Sequence, residues 1–329
     1  MLTATLSLLV GIALSPQANL DPMRAPLPDK QLLARTQFDW TGAKPLPERA
    51  PKYRTRASGA SEAVEFDVQT GKSTILPQDI ALPYLKGALE GFEGTAVVPQ
   101  TASPLTVIGA DNRAKVGSPN LFPWRATCKL YLKFSSGSYI GTGLLIGKRY
   151  ILTAGHCVFD SSAGGYATRI EAVPGKKGSV APFGTALMKK VRTFKLWLDD
   201  ENPDWDIALI TLNRDIGTST GYFGVANYSN TALKDQLVTI SGYPGDRDNG
   251  EFLYTMSAKL TGMLPKELRY TIDTAGGQSG SGITRVVSNK RYAIGVHAYG
   301  AATGFPFNSG PRIDATILRY LQNWMATGT

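Results

Sequence analysis

Histidine is almost missing: His156 and His297 are the only two in 329 residues. That scarcity excludes a metal centre built on several imidazoles. It also leaves any reaction that needs an imidazole with two candidates. Cysteine is as scarce. Cys128 and Cys157 are too few for a disulfide framework and form no Cys-x-x-Cys zinc motif. No stretch beyond the N-terminus is long and apolar enough to span a bilayer, so no membrane anchor is expected. The basic residues are scattered, with pairs such as 176–177 and 189–190. Nothing resembles an RNA-binding aromatic signature, and no nucleic-acid partner is expected. No lysine follows the glycines of 276–282, which argues against a phosphate loop. Neither a metal nor a cofactor is called for.

What is present divides into three zones. "LTATLSLLVGIAL" followed by "SPQANL" reads as a secretory signal peptide over 1–18, implying an extracellular protein. Residues 19–106 are rich in proline and polar residues and read as a largely irregular pro-segment. Within it, "AVEFDVQTGKSTILP" suggests a short hairpin and "ALPYLKGALEGF" a short helix. These first 106 residues hold ten basic and ten acidic side chains, so the net charge of +9 belongs to 107–329. Solvated surface charge accounts for most of it.

From residue 107 the pattern is β. "ATCKLYLKF", "YIGTGLLIG", "YILTAGHC", "RIEAVPG", "DIALITL", "QLVTISGY", "EFLYTMSAKLTGML", "LRYTIDT", "GITRVV" and "RYAIGVHAYG" are short strands between turns. Many short strands with Gly-rich turns argue for sandwiches or barrels. "DATILRYLQNWM" has helical spacing, with Asp314 near its start.

A serine hydroxyl needs a base, usually histidine, and the histidine needs a carboxylate. Backbone N–H groups must then meet the oxyanion. His156 lies in "LTAGHCV" after a β run, Asp206 opens the strand in "NPDWDIALI", and Ser279 lies in "GGQSGSG". Asp204 competes with Asp206 as the carboxylate, and Ser281 with Ser279 as the nucleophile. The run "DDENPD" before Asp206 reads as a solvated acidic loop, with calcium binding as the alternative. The order His, Asp, Ser is that of chymotrypsin-like enzymes.

With "TAGHC", "DIAL" and "GGQSGSG", the sequence resembles the chymotrypsin-fold serine proteases. "VIGADNR" at 107–113, "SGYPGDR" at 241–247 and "AIGVHAYG" after the nucleophile segment narrow the resemblance to the secreted bacterial glutamyl endopeptidases, staphylococcal type. It covers roughly 107–325. It implies an all-β fold of two six-stranded antiparallel barrels, about 107–215 and 216–313, and a C-terminal helix, about 314–325. Ser279 would be the nucleophile, the N–H groups of Gly277 and Ser279 the oxyanion hole, and Ser281 structural. His297, Thr274 and the α-amino group of Val107 would recognise an acidic side chain. That last role requires a cut at Thr106–Val107 and makes the precursor latent. Gln278 stands where digestive relatives carry aspartate before the nucleophile, so their activating salt bridge cannot form. A disulfide between Cys128 and Cys157 is expected for a secreted protein, although the spacing departs from the usual bond beside the catalytic histidine.

The expected protein is thus a secreted, monomeric serine endopeptidase of 107–329. Its partners are polypeptides with acidic residues and an activating protease. A protease of other specificity, or a non-enzymatic binding protein on this fold, are the alternatives.

Overall fold

The computed structural model describes residues 38–47, 49–50, 61–77, 110–302 and 305–328. The signal peptide, the helix expected near 81–92 and Val107 lie outside the described residues.

Upstream residues contribute β1 (Lys44–Pro45), β2 (Ala63–Asp67) and β3 (Lys72–Leu76), the last two forming a hairpin. β4 (Ala114–Lys115) follows. A barrel is then built from β5 (Thr127–Phe134), β6 (Gly137–Leu145) and β7 (Tyr150–Thr153). A two-strand hairpin, β8 (Phe159–Asp160) and β9 (Gly165–Tyr166), precedes β10 (Arg169–Pro174), β11 (Ala186–Phe194) and β12 (Ala208–Leu212). Antiparallel pairing runs β10-β5-β6-β7-β12-β11 and returns to β10, so the six strands close on themselves. The alternation in β5 shows why. Cys128, Leu130, Leu132 and Phe134 are fully buried at every second position, which suits a barrel interior.

The second sheet contains β13 (Gly224–Val225), β14 (Leu237–Gly242), β15 (Tyr254–Met263), β16 (Glu267–Tyr270), β17 (Gly282–Val287), β18 (Lys290–Val296) and β19 (Asn308–Pro311). Its order is β13-β18-β17-β14-β15-β16-β19. Where a second closed barrel is expected, one isolated bridge, Gly295 to Arg312, joins the last strand's end back to β18. Val238, Ile240, Leu268, Tyr270, Ile283 and Ile294 form its own apolar core.

The C-terminal helix, Ala315–Thr327, is capped by Asp314, whose Oδ1 accepts from Ile317 N at 2.8 Å. It packs back on the first barrel through Trp324 and Tyr320 against Phe194. The upstream hairpin extends that barrel, since β2 pairs antiparallel with β11 from Lys190–Asp67 to Phe194–Ala63. Among the described residues no helix is long and apolar enough to cross a membrane.

Candidate active site

Two antiparallel pairings assemble the site. β7 ends just before His156 and β12 begins just after Asp206, and Thr153 lies opposite Ala208 in their ladder. Residues 50 apart in sequence are thereby brought side by side. Likewise β17 follows the loop that carries Ser279, β18 runs into His297, and Gly282 lies opposite Val296.

The first pairing places Asp206 Oδ2 2.8 Å from His156 Nδ1. Asp206 Oδ1 accepts the His156 backbone N–H at 2.8 Å. Asp206, rather than Asp204, is therefore the carboxylate on the imidazole. The Tyr299 hydroxyl donates to Oδ2 at 2.7 Å. Asp206 is completely buried, and burial by itself would raise its carboxyl. The charge and hydrogen bond of His156, with Arg49 and Tyr299 behind them, hold it below the usual carboxylate range. With Nδ1 engaged by the carboxylate, Nε2 is the ring atom left for proton transfer. It is buried and has no hydrogen-bond partner among the described residues.

The second pairing builds the loop of 275–281, which carries Ser279. The Gln278 N–H donates to Ala275 O at 3.0 Å and the Ser281 N–H to Gln278 O at 3.0 Å, a pair of tight turns. Gly277 has φ +95° and Gly280 φ +89°. A Cβ on Gly277 would lie 2.6 Å from Tyr243 O, and one on Gly280 2.1 Å from Thr142 O. Both positions thus need glycine by conformation and by space. The N–H groups of Gly277 and Ser279 have no partner among the described residues. Ser279 itself is 1% exposed.

Two residues outside this loop hold it and two more hold the site's other groups, and none of the four has a role expected from the sequence. Thr142 on β6 spans the two sheets. Its Oγ1 donates to Gly277 O at 2.8 Å and accepts the Tyr243 N–H at 3.1 Å, while its N–H donates to Ser279 O at 2.9 Å. Arg113, just after the expected mature start, reaches Gln278 Oε1 at 2.9 Å and Asp246 Oδ2 at 2.6 Å. Gln278 Oε1 also accepts the Ala275 N–H at 3.1 Å. The position that holds aspartate in digestive relatives is thus anchored by an arginine side chain. Tyr299 holds Asp206, as above, and Tyr270 on β16 holds His297.

His297 is 1% exposed. Its N–H donates to Ser281 O at 2.8 Å, and its carbonyl accepts the Gly280 N–H at 2.8 Å. Its Nδ1 lies 2.8 Å from Tyr270 Oη. Burial, then the nearby His156, lower its proton affinity to about 3, so the ring is neutral near neutral pH. Thr274 is half-buried on the segment between β16 and the loop that carries Ser279.

The expected disulfide is not formed. Cys128 and Cys157 are both free and buried. Cys128 lies on β5 opposite Gly143, whereas Cys157 turns its Sγ toward Ser279 O at 3.4 Å. Burial pushes the Cys157 thiol up to about 12 and raises Cys128 as well, so neither is a reactive thiolate. Among the described residues no three His, Cys, Asp or Glu side chains cluster so as to hold a metal ion.

A closed β-barrel packed against a second, largely antiparallel sheet, with histidine, aspartate and serine at their junction, defines the trypsin class of serine endopeptidase. Residues 111–311 match the trypsin family, and the chain belongs to it. Within that family it is similar to a glutamyl endopeptidase of Bacillus licheniformis, 35% identical over 67% of this chain and 69% of the relative. A Bacillus subtilis protein named extracellular metalloprotease is 32% identical over 68% of this chain and 71% of its own. The solved structure of a Glu endopeptidase in complex with MPD aligns with a TM-score of 0.60 and 31% identity, covering 68% of this chain and all of that one.

Proposed function

We propose that this serine endopeptidase is secreted and cuts polypeptides after glutamate, less often after aspartate. It is made as a latent precursor whose catalytic domain begins at Val107. Ser279 Oγ attacks the scissile carbonyl while His156 Nε2 takes its proton. The Asp206 carboxylate supports the imidazolium, and the Gly277 and Ser279 N–H groups receive the oxyanion. His156 then gives its proton to the leaving amine, and the C–N bond breaks. Water, activated by the same ring, hydrolyses the acyl-enzyme and returns the proton to Ser279.

The specificity rests on one observation: a buried, neutral His297 clasped at both its backbone groups to the nucleophile loop. A Tyr270 hydroxyl donating to Nδ1 keeps the ring hydrogen on Nε2, which then serves a substrate carboxylate as a donor. Thr274 adds a hydroxyl. The α-amino group of Val107, freed by an activating protease, adds the positive charge that the neutral ring lacks. Similarity to two proteins named for glutamyl cleavage supports the same reading.

The test is His297→Ala, assayed on matched peptides with Glu or Gln before the scissile bond. The kcat/KM on the Glu peptide should fall about a hundredfold, a loss on the order of 3 kcal/mol, with Ser279 still labelled by a fluorophosphonate. An unchanged preference for Glu would remove His297 from the pocket.

A further inference from the structure

Residues 38–47 and 49–50 lie across the site just described. Their sequence suits an extended strap. Pro45 and Pro47 fix φ and lack an N–H, so Leu46 supplies the one amide hydrogen between Lys44 and Pro47. The strap is anchored upstream by Trp40. This residue stacks on Tyr131 with ring centroids 5.2 Å apart and donates Nε1–H to Glu171 Oε2 at 3.1 Å. β1 then pairs parallel with β6, Lys44 beside Tyr139 and Pro45 beside Ile140, and the Leu46 N–H donates to Ile140 O at 3.0 Å. Leu46 is 2% exposed. A Cβ on Gly276 would lie 2.6 Å from Leu46 O, and one on Gly245 1.9 Å from Pro45 Cγ. Two glycines of the cleft wall thus leave room for this strap.

Three residues on, the strap reaches the opposite wall. Arg49 O accepts the Gly300 N–H at 2.9 Å, and Arg49 pairs parallel with Tyr299. Its guanidinium meets Asp160 Oδ2 at 2.6 Å and Glu201 Oε2 at 3.6 Å, and sits 5.4 Å over the Trp197 ring. Between the walls, Leu46, Pro47, Arg49, Tyr299 and His156 help to line an open pocket of about 380 Å³. The chain therefore crosses the catalytic histidine.

Its direction matters. Granting the glutamyl endopeptidase reading above, on which this step rests, the acyl half of a substrate carries the side chain meant for His297. That half lies along 297–300. The leaving half lies beyond His156, which must protonate the amine, on the Ile140 side. A substrate accordingly runs from Tyr299 toward Ile140, whereas the strap runs from Ile140 to Tyr299.

We propose that residues 38–47 and 49–50 form a built-in peptide inhibitor, threaded through the substrate cleft with its chain reversed. Parallel pairing on both walls is the mark of that reversal, since a productive substrate pairs antiparallel with both. Reversed polarity turns the strap's carbonyls out of line with the Gly277 and Ser279 N–H groups, so it blocks the cleft without being cut. Covalent attachment gives it a high effective concentration, and affinity falls once the tether is severed downstream. The cleft edges at Ile140 and Gly300 are thus a docking surface for a Pro-rich peptide that ends in arginine.

The experiment uses the uncleaved full-length chain. Wild type, Arg49→Ala and, separately, Leu46→Asp are treated with a biotin-tagged fluorophosphonate, and intact mass follows labelling of Ser279. Each variant should label about tenfold faster or more, the scale of losing one ion pair or one buried apolar contact. Equal, measurable labelling rates in wild type and both variants overturn the strap. Hydrogen exchange reads seating without catalysis. The Leu46 and Gly300 amides should be protected in wild type and lose protection in Arg49→Ala, while the barrel amide of Ile210 is unchanged. Unprotected amides in wild type also overturn the strap. The two ideas fail differently. Protection that responds to Arg49→Ala while Ser279 is never labelled, even after processing, supports the strap and sinks the protease reading. Fast labelling of every form does the reverse.

Discussion

Replacing Tyr299 with Phe deletes a single hydroxyl from the Asp206 carboxylate. A hydrogen bond to a buried charge contributes about 1.5–3 kcal/mol, and here it steadies the group that supports the imidazolium. Tyr299→Phe should lower kcat roughly tenfold while KM stays near its wild-type value. Steady-state kinetics on one peptide decide it, and an unchanged kcat would mean that the His156 backbone N–H alone suffices. His297 makes a different kind of claim. In the unfolded chain its ring takes a proton as pH falls below about 6.5. In the folded protein it refuses one until about 3. Stability is therefore full above the unfolded value and is lost as pH falls toward the folded one. Between pH 7 and 4.5 wild type should lose about 2–3 kcal/mol more than His297→Gln. Urea unfolding at the two pH values measures this, and parallel losses would refute it. The pairing of His156 with Asp206 was legible at this scale, because histidine scarcity and the local motifs around both residues point at it. Tyr299, Tyr270 and Arg113 were not. Each acts on a partner far away in sequence, 93 residues in the case of Tyr299, and no local pattern reports such a contact.

Among the elements, the nucleophile loop depends most on residues outside itself. Thr142→Val keeps the shape of that side chain but leaves Gly277 O and the Tyr243 N–H without their buried partner. A loss of about 2 kcal/mol of stability is expected, with a fall in kcat larger than any rise in KM. Thermal unfolding and kinetics on the same preparation check both. An active, fully stable variant would show that the loop holds itself. Arg113→Met releases Gln278 from the other side, and reduced kcat with slower labelling of Ser279 is the expected signature. Strand β11 shows where pattern reading fails. Its nine residues, ALMKKVRTF, complete the barrel, yet no strand is expected there from the sequence. The register shifts between Met188 and Lys190, which breaks the period of two. Lys190 and Arg192 look like surface charge but pair with Glu65 of the upstream hairpin. The hairpin itself was readable because its two halves flank a compact Gln-Thr-Gly turn.

For the whole molecule, the absence of a disulfide has a direct test. Native protein should show almost no reaction with a thiol reagent such as dithionitrobenzoate, and denatured protein should show two thiols. One or no thiols after denaturation would restore a covalent link. Barrel, sheet and helix follow one another along the chain, so their order was legible. How the upstream residues lie on them was not, because a Pro-rich segment announces no partner. β2 covers the outer half of β11 from Lys190 to Phe194. Were the hairpin to depart with processing at Thr106–Val107, that row of backbone donors and acceptors would open to solvent, a ready template for another copy of the chain. Lys189, Lys190 and Arg192 would then acquire a second duty as gatekeepers, their like charges keeping two mature molecules from zipping edge to edge and the freed protease from precipitating on itself.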